Sequence, residues 1–433
     1  MNKHVSLTMF SSVQWLLFIF ANTVVVPISI ANVFEISPET TEMMLRSSFI
    51  FTGLACMFQG WAGHRFPLME GHSGLLWGVI LNLGLSASSM GMSLSVIGGG
   101  ITTGILIACL IMFILAVCNG INLLRTVFTP MVMTVYLFLL TFQLIFIFFK
   151  GMIPLTEQGT IDVPISIFSI GVVVLVMALK LKGSKNISNF SILIGLVIGW
   201  VFYELFFSDG TQKVGQAIES SFSLFPLGQP NFEYGIVIVT CLTVLLNLSN
   251  TMVSIQEGGN LLKEESSNKR IRNSIFVTTF FTALGSGFGL VPYTPFTSSI
   301  GFLQSTRIFE RMPFIIGGCL LSIMGLIPVF GSFLVTMPIS VGNAVLFVAY
   351  LQLFGTAFGS LNGKTFNSNT IFRLAVPVLT GMCLMNISPT VFTNLPILIQ
   401  PFFANGLIMG VMISIILEKI VNWRVYEKIE LRN

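Results

Sequence analysis

The sequence predicts an all-α polytopic membrane protein, with fourteen transmembrane segments in two inverted seven-span repeats. Three observations predict it: the scarcity of charge, the length of the apolar runs, and a pair of interrupted runs at matching positions. Only 9% of the 433 residues are charged, against 54% hydrophobic, and the mean hydropathy is +0.90. A soluble domain carries about 25% charged residues, so this chain lacks the polar surface a water-soluble body needs. In hydrocarbon the backbone must satisfy its own hydrogen bonds, which leaves helices or a closed barrel. Barrel strands are short and alternate apolar with polar residues. The runs 101–118 and 131–149 are long and unbroken, so helices are expected.

A spanning helix needs about 20 apolar residues. Spans are expected at 10–31, 45–60, 72–88, 93–118, 129–149, 163–180, 188–207, 234–256, 273–290, 298–307, 313–333, 335–359, 370–388 and 396–418. The start 1–9 is basic, but no small-residue cleavage site follows the first apolar run. Residues 10–31 therefore read as a retained span. The third segment is short, follows Pro67 and opens with Gly71 and Gly74. The tenth follows Val291–Pro295 and contains Gly301. They are the third members of the first and second sets of seven. Seven is odd, so the halves have opposite orientation. Matched interruptions of this kind point to a transporter's central site. A helix broken at mid-membrane frees N–H and C=O groups that are costly in lipid and useful where they line a cavity. The plainer reading is that Pro and Gly merely kink two helices for packing.

The basic residues fix an expected orientation. With the N-terminus inside, Arg46, Lys150 and Lys213 are the three of the 21 Lys and Arg that fall outside; the rest lie on the cytoplasmic side. This is the positive-inside pattern, and it places both termini in the cytoplasm, with a bacterial inner membrane as the expected location. The net charge of +4 is spread without a nucleic-acid patch. The six cysteines all lie in apolar runs with no CxxC pair, as small packing residues do. No cofactor or metal is implied. There is no HExxH, GxSxG or P-loop, and no span carries paired carboxylates. The longest loops, 208–233 and 257–272, hold no motif. An enzyme is not expected.

Three stretches carry a family likeness. Ser298-Ser299-Ile300-Gly301 is followed, four residues on, by Thr306-Arg307. Gln14-Trp15 is followed by Asn22-Thr23-Val24-Val25-Val26-Pro27. Pro67 is followed by Gly71-His72-Ser73-Gly74. Over almost its whole length the chain resembles the nucleobase–cation symporters, also called nucleobase–ascorbate transporters or xanthine/uracil permeases, and among them the bacterial purine-type members. Gly301, Thr306, Arg307, Gln14, Pro27, Pro67, Gly71 and Ser73 fit the pattern. Ser298 and Ser299 stand where the family has Gln or Glu followed by Asn. Trp15 replaces a His, and Gly74 stands where an aromatic residue is common.

The resemblance implies short strands before half-helices in spans three and ten, with the ligand between them beside the eighth span. It implies a core domain over 10–118 and 234–333 and a gate domain over 129–207 and 335–418. It also implies a small-molecule nucleobase as cargo, protons as the coupling ion, and a homodimer formed through the gate. A purine such as xanthine, urate, guanine or hypoxanthine is the expected base.

A planar base offers alternating donors and acceptors around its rim and needs an apolar slot for its faces. Free N–H groups at helix N-termini favour acceptors. The side-chain candidates are Asn22 in the first span, Ser73 and Gly74 in the third, Asn247 and Asn250 in the eighth, and Thr297, Ser298 and Ser299 at the tenth. Phe296 is the candidate for stacking. Interhelical packing hydrogen bonds are the bland reading of each Asn, and core packing is that of Phe296. Gly301, Thr306 and Arg307 are, by the family likeness, the selectivity motif; Arg307 would also suit the dipole at a helix C-terminus.

Two departures bear on coupling. The family usually carries a carboxylate in the eighth span and often one in the tenth. Here no acid occurs from Tyr234 to Gln256, Glu257 arrives only at the cytoplasmic end, and Ser298 replaces the second. Glu204 reads as an interfacial acid. Glu70 and His72 remain, and intramembrane ionisable residues are functional candidates by default. On a strand, i and i+2 share one face, so the two are expected to pair and to serve proton coupling. The alternative is that both are solvated at the cytoplasmic mouth beside His64 and Arg65. Two rival functions use the same sequence features. An anion carrier of sulfate or dicarboxylate type would suit two half-helix N-termini without buried acids, though such relatives usually have a further domain after the last span and this sequence stops soon after Trp423. An uncoupled facilitator or channel would suit the missing acids.

Overall fold

The computed structural model describes residues 2–88, 90–118, 120, 129–156, 158–184, 187–188, 190–207, 223–361, 367–392, 394–396, 399–403 and 405–423. Among the basic residues used for orientation, Arg125, Lys185, Lys213, Lys364, Arg424, Lys428 and Arg432 lie outside the described residues.

Among the described residues, helix is found within each expected stretch, and the exceptions to simple helices have local causes. The first is two helices, α1 (Asn2–Thr23) and α2 (Val25–Val33). Pro27 has no N–H for the Thr23 carbonyl, and its ring crowds that carbonyl, so the break falls at Val24. α3 (Pro38–Trp61) starts earlier than the apolar run, because Ser37 caps it from Thr40 N and Pro38 opens it. The strand β1 (Glu70–His72) then leads into the short α4 (Gly74–Leu85). α5 (Leu94–Val117), α6 (Pro130–Met152), α7 (Val163–Lys182) and α8 (Ser191–Phe207) follow. Ser93, Thr129 and Asp162 cap the first three of these.

The second half repeats the plan. α9 (Tyr234–Leu262) and α10 (Asn268–Ser286) precede the strand β2 (Tyr293–Pro295) and the short α11 (Ser298–Thr306). The eleventh segment is divided at Pro328 into α12 (Arg311–Leu326) and α13 (Pro328–Val335). α14 (Ile339–Gly359), α15 (Ser368–Met385), the single turn α16 (Gln400–Phe403) and α17 (Gly406–Ile420) complete the chain. Among the described residues, six helices are long and apolar enough to cross a membrane, counting Thr8–Val33 as one. The chain is a multi-pass membrane protein of mostly helical fold, with one two-stranded sheet among the described residues.

Helices pack through small residues, as expected where no hydrophobic effect separates protein from lipid. α3 lies along α12, so closely that a Cβ on Gly53 would strike the Gly318 carbonyl and Ser322 Oγ. α1 also lies on α12, and α5 lies against α9 and α10. α6 packs with α14, α15 and α17, and α14 also with α7 and α8. α4 touches both α9 and α6.

Candidate functional site

The two strands pair with each other, antiparallel, with Glu70 opposite Pro295, Gly71 opposite Thr294 and His72 opposite Tyr293. Two further bonds extend the ribbon symmetrically: Ser73 N donates to Pro292 O and Phe296 N to Met69 O, both at 2.8 Å. Each strand runs straight into a half-helix, so α4 and α11 both start at this ribbon and leave it in opposite directions. The first N–H groups of a helix have no partner within it. Both N-termini therefore present donors at one place.

α9 runs beside the ribbon and meets it with a row of polar groups. Asn247, Asn250, Thr251 and Ser254 follow i, i+3, i+4, i+7 spacing, which is one helix face. Asn247 Oδ1 accepts from Ser73 Oγ at 2.9 Å, and its Nδ2 donates to Tyr293 O at 3.1 Å. Asn250 Nδ2 donates to Thr294 Oγ1 at 3.3 Å, and Thr251 Oγ1 lies 3.3 Å from the same hydroxyl. Ser254 Oγ and Thr297 Oγ1 are 2.7 Å apart. The ribbon face bearing Gly71 and Thr294 thus looks toward α9. Phe296 stands over Gly71, where a Cβ would lie 3.1 Å from Phe296 Cε1.

The opposite face carries the titratable groups. Glu70 and His72 do share a face, as strand alternation requires, but they do not pair. They stand two residues apart, roughly 7 Å along a strand, and each has a nearer partner on a packed helix. Glu70 Oε1 accepts from Thr278 Oγ1 of α10 at 2.6 Å. Gln59 Nε2 of α3 donates to that same hydroxyl at 3.0 Å and to Ser274 O at 3.2 Å. Glu70 Oε2 has no hydrogen-bond partner among the described residues. His72 Nδ1 faces Val291 O at 3.0 Å, and its Nε2 faces Ser48 Oγ at 2.6 Å. A carbonyl only accepts, so Nδ1 carries the proton and Nε2 accepts from Ser48. Glu70 and His72 are 0% and 1% exposed, so neither is solvated. His64 is also buried; its Nδ1 accepts from Phe66 N at 3.0 Å. Burial and the charge of Arg270 push its imidazole down to about 3. It is a neutral staple of the loop before β1.

The remaining expected residues divide. Ser73 caps α4, accepting from Leu76 N while bonded to Asn247. Gly74, next in the chain, faces Tyr350 and Leu144 of α14 and α6. Ser298 is exposed at the start of α11, and Gly301 has nothing within 4 Å of where a Cβ would stand. So α4 is covered by neighbouring helices, while α11 buries Phe302 and Leu303 and leaves its Ser298 and Gly301 side uncovered. Ser299 is buried and accepts from Met69 N at 2.9 Å, which commits it to holding the ribbon. Asn22 Nδ2 bonds back to Phe18 O of its own helix at 2.8 Å and makes no bond to the ribbon. Thr306 Oγ1 likewise bonds back, to Phe302 O at 2.8 Å. Arg307 ends α11 in the left-handed region, with φ 60°. A helix end of that kind is ordinarily glycine. Glu257 is exposed and Glu204 is half-buried.

Thr251, Ser254, Thr278, Gln59, Ser48 and Tyr350 were not singled out from sequence. The first two complete the period of Asn247 and Asn250 and were readable there. The others come from distant segments and carry no local signal. A cavity of 430 Å³ lies elsewhere, among Gly60, Trp61, Arg65, Glu264, Glu310 and Arg311. It shares no residue with the ribbon or either half-helix, and its mixed charges do not form a flat apolar slot.

The Xan_ur_permease model, described as the Permease family, matches residues 6–390. The chain belongs to this permease family. The permease is a transporter and not an enzyme. It is 28% identical over 428 residues to "Putative purine permease YwdJ" of Bacillus subtilis (strain 168), covering 95% of this chain and 96% of that one. It is 21% identical to "Uric acid transporter UacT" of Escherichia coli (strain K12), over 94% and 85% of the two chains. It is 23% identical to "Xanthine permease" of Bacillus subtilis (strain 168), over 96% and 94%. Among solved structures, the permease shares its fold with the transmembrane domain of a cyanobacterium bicarbonate transporter, BicA, at TM-score 0.59 and 13% identity over 94% and 97% of the chains. Murine Slc26a9, an anion transporter in the inward-facing state, superposes at TM-score 0.64 and 12% identity over 95% and 68%.

Proposed function

We propose that this permease imports a nucleobase of the purine class by proton symport across a bacterial inner membrane. The observation that carries the reading is the ribbon itself: two half-helix N-termini at one place, faced by the Asn247, Asn250, Thr251 and Ser254 row of α9. Free N–H groups at Gly74 and Ser298 suit the oxo groups of an oxopurine. Asn250, Thr297 and Ser298 supply further polar contacts, and Phe296 over Gly71 supplies a flat apolar surface for the ring. Asn247 holds Ser73 and β2 in register rather than touching the base alone. Relatives named for purines, uric acid and xanthine along nearly the whole chain support the purine class.

Glu70 is the proton-carrying group in this reading, held through Thr278 and Gln59 on the far side of the ribbon. His72 buttresses the ribbon. Movement of protons at Glu70 reaches the base through the two-stranded ribbon, whose other face is the substrate face. The set α1–α5 with α9–α13 acts as the core and α6–α8 with α14–α17 as the gate. Fourteen spans place both termini in the cytoplasm, and the gate carries a homodimer contact. The open side at Gly301 is then the inward-facing side of an alternating-access cycle.

The test is accumulation of radiolabelled purines and uracil in cells overproducing the protein, with and without a protonophore. Protonophore-sensitive uptake of a purine supports the reading. Uptake that only equilibrates and ignores the protonophore makes the protein a facilitator. No uptake of any base, with uptake of sulfate or a dicarboxylate instead, makes it an anion carrier of the same fold.

A further inference from the structure

Gln143 lies in the middle of α6 and is the only amide in the run 131–149. It is 3% exposed, yet among the described residues neither Oε1 nor Nε2 has a hydrogen-bond partner. Buried amides are almost always satisfied, and leaving one unpaired is costly. The other polar groups of α6 show what satisfaction looks like there. Thr134 Oγ1 bonds back to Pro130 O at 2.9 Å and Thr141 Oγ1 to Leu137 O at 2.7 Å. Gln143 does neither.

Its position is specific. A Cβ on Gly78 of α4 would stand 3.4 Å from both Cδ and Nε2 of Gln143. Gly74 lies one turn earlier on the same face, against Leu144 and the Tyr350 hydroxyl, each 3.6 Å from where its Cβ would be. A helix rises about 6 Å over four residues, so the idle amide stands about one turn from the α4 N-terminus. That N-terminus is one wall of the proposed base site. Glycine at 74 and 78 leaves no side chain between the amide and the helix backbone.

We propose that Gln143 is a specificity-determining residue that reaches the cargo from α6. Its carboxamide pairs, donor to acceptor and acceptor to donor, with one edge of the purine when the base occupies the α4 N-terminus. A carboxamide sets one acceptor beside one donor, which matches a rim segment where a ring N–H adjoins an oxo group or a bare ring nitrogen adjoins an exocyclic amine. The base supplies the two bonds that the described residues do not give this amide. This rests on the purine-permease reading above.

The test is uptake by the wild type and by Gln143→Met, which keeps the side-chain length and removes both hydrogen-bonding groups, with Gln143→Asn as a second variant. Competition by purines methylated singly at each ring nitrogen is measured in all three, with membrane abundance and thermal unfolding in parallel. Gln143→Met is expected to raise KM at least about tenfold, as for a site that has lost a paired hydrogen-bonding group. Gln143→Asn falls between it and the wild type. The wild type is expected to reject one methylated isomer, and that penalty is expected to vanish in Gln143→Met. Abundance and unfolding temperature stay equal or rise. An unchanged KM and an unchanged methylation pattern in Gln143→Met, with the wild type active, overturn the assignment and leave the purine reading intact. A wild type that transports no purine overturns both.

Discussion

Ser73 Oγ, at the first turn of α4, donates to Asn247 Oδ1 of α9 at 2.9 Å, and the same Asn247 donates from Nδ2 to Tyr293 O of β2. One buried amide therefore joins the third, eighth and tenth segments. Asn247→Ala strands a hydroxyl and a carbonyl at the centre of the ribbon. Each unmade buried bond costs about 1–3 kcal/mol. Initial-rate uptake, normalised to the protein in the membrane, is expected to fall roughly ten- to a hundredfold. An unchanged rate at wild-type abundance contradicts the role given to this tie.

Glu70→Gln keeps the shape of the side chain and removes its capacity to carry a proton. Protonophore-sensitive accumulation is expected to disappear while exchange of labelled for unlabelled base persists. Thr278→Val, which removes the donor to Oε1 and one acceptor of Gln59 Nε2 but leaves the carboxyl in place, is expected to weaken accumulation less. Accumulation by Glu70→Gln equal to the wild type removes Glu70 from the coupling scheme.

Phe296 and Gly71 form the proposed flat surface. Phe296→Ala removes an aromatic face, and stacking of a base on one contributes about 1–3 kcal/mol. KM is expected to rise roughly ten- to a hundredfold, with Phe296→Tyr close to the wild type. In Gly71→Ala the new methyl stands 3.1 Å from Phe296 Cε1 and 2.7 Å from Met69 Cε. The Met69 end can swing away, but the ring must shift, so a smaller rise in KM is expected. Uptake kinetics of the three variants check this order.

Arg307 closes α11 with φ 60°, a conformation that costs an L-residue roughly 1–2 kcal/mol and glycine almost nothing. Arg307→Gly is expected to match or exceed the wild type in thermal unfolding of the detergent-solubilised protein. Arg307→Val, β-branched, is expected to unfold at a lower temperature. If both variants unfold alike, the left-handed cap does not govern this helix end.

Much of the architecture was legible because it follows from solvent. A chain with 9% charge has to satisfy its backbone inside helices, and apolar runs mark where those helices lie. The breaks at Pro67–Gly74 and Val291–Gly301 were legible too, since Pro and Gly leave a local trace. The likeness at Gly301, Thr306 and Arg307 pointed to the family that the match over residues 6–390 then established. Helix ends were less legible. α3 begins at Pro38 and α9 continues to Leu262, because polar turns beyond the bilayer extend a helix without extending its apolar run.

The sequence by itself determined the membrane fold, the two interruptions, and Asn247 and Asn250 as the only asparagines between Tyr234 and Gln256, because composition, periodicity and backbone chemistry act within one segment. Only the tertiary structure decided who faces whom. It gave Glu70 to Thr278 and His72 to Ser48 in place of each other, turned Asn22 back onto its own helix, committed Ser299 to Met69, and left Gln143 against Gly78 without a hydrogen-bond partner among the described residues. Those outcomes depend on which helices lie beside a side chain, and residues as far as 230 positions apart along the chain leave no local mark of their contact.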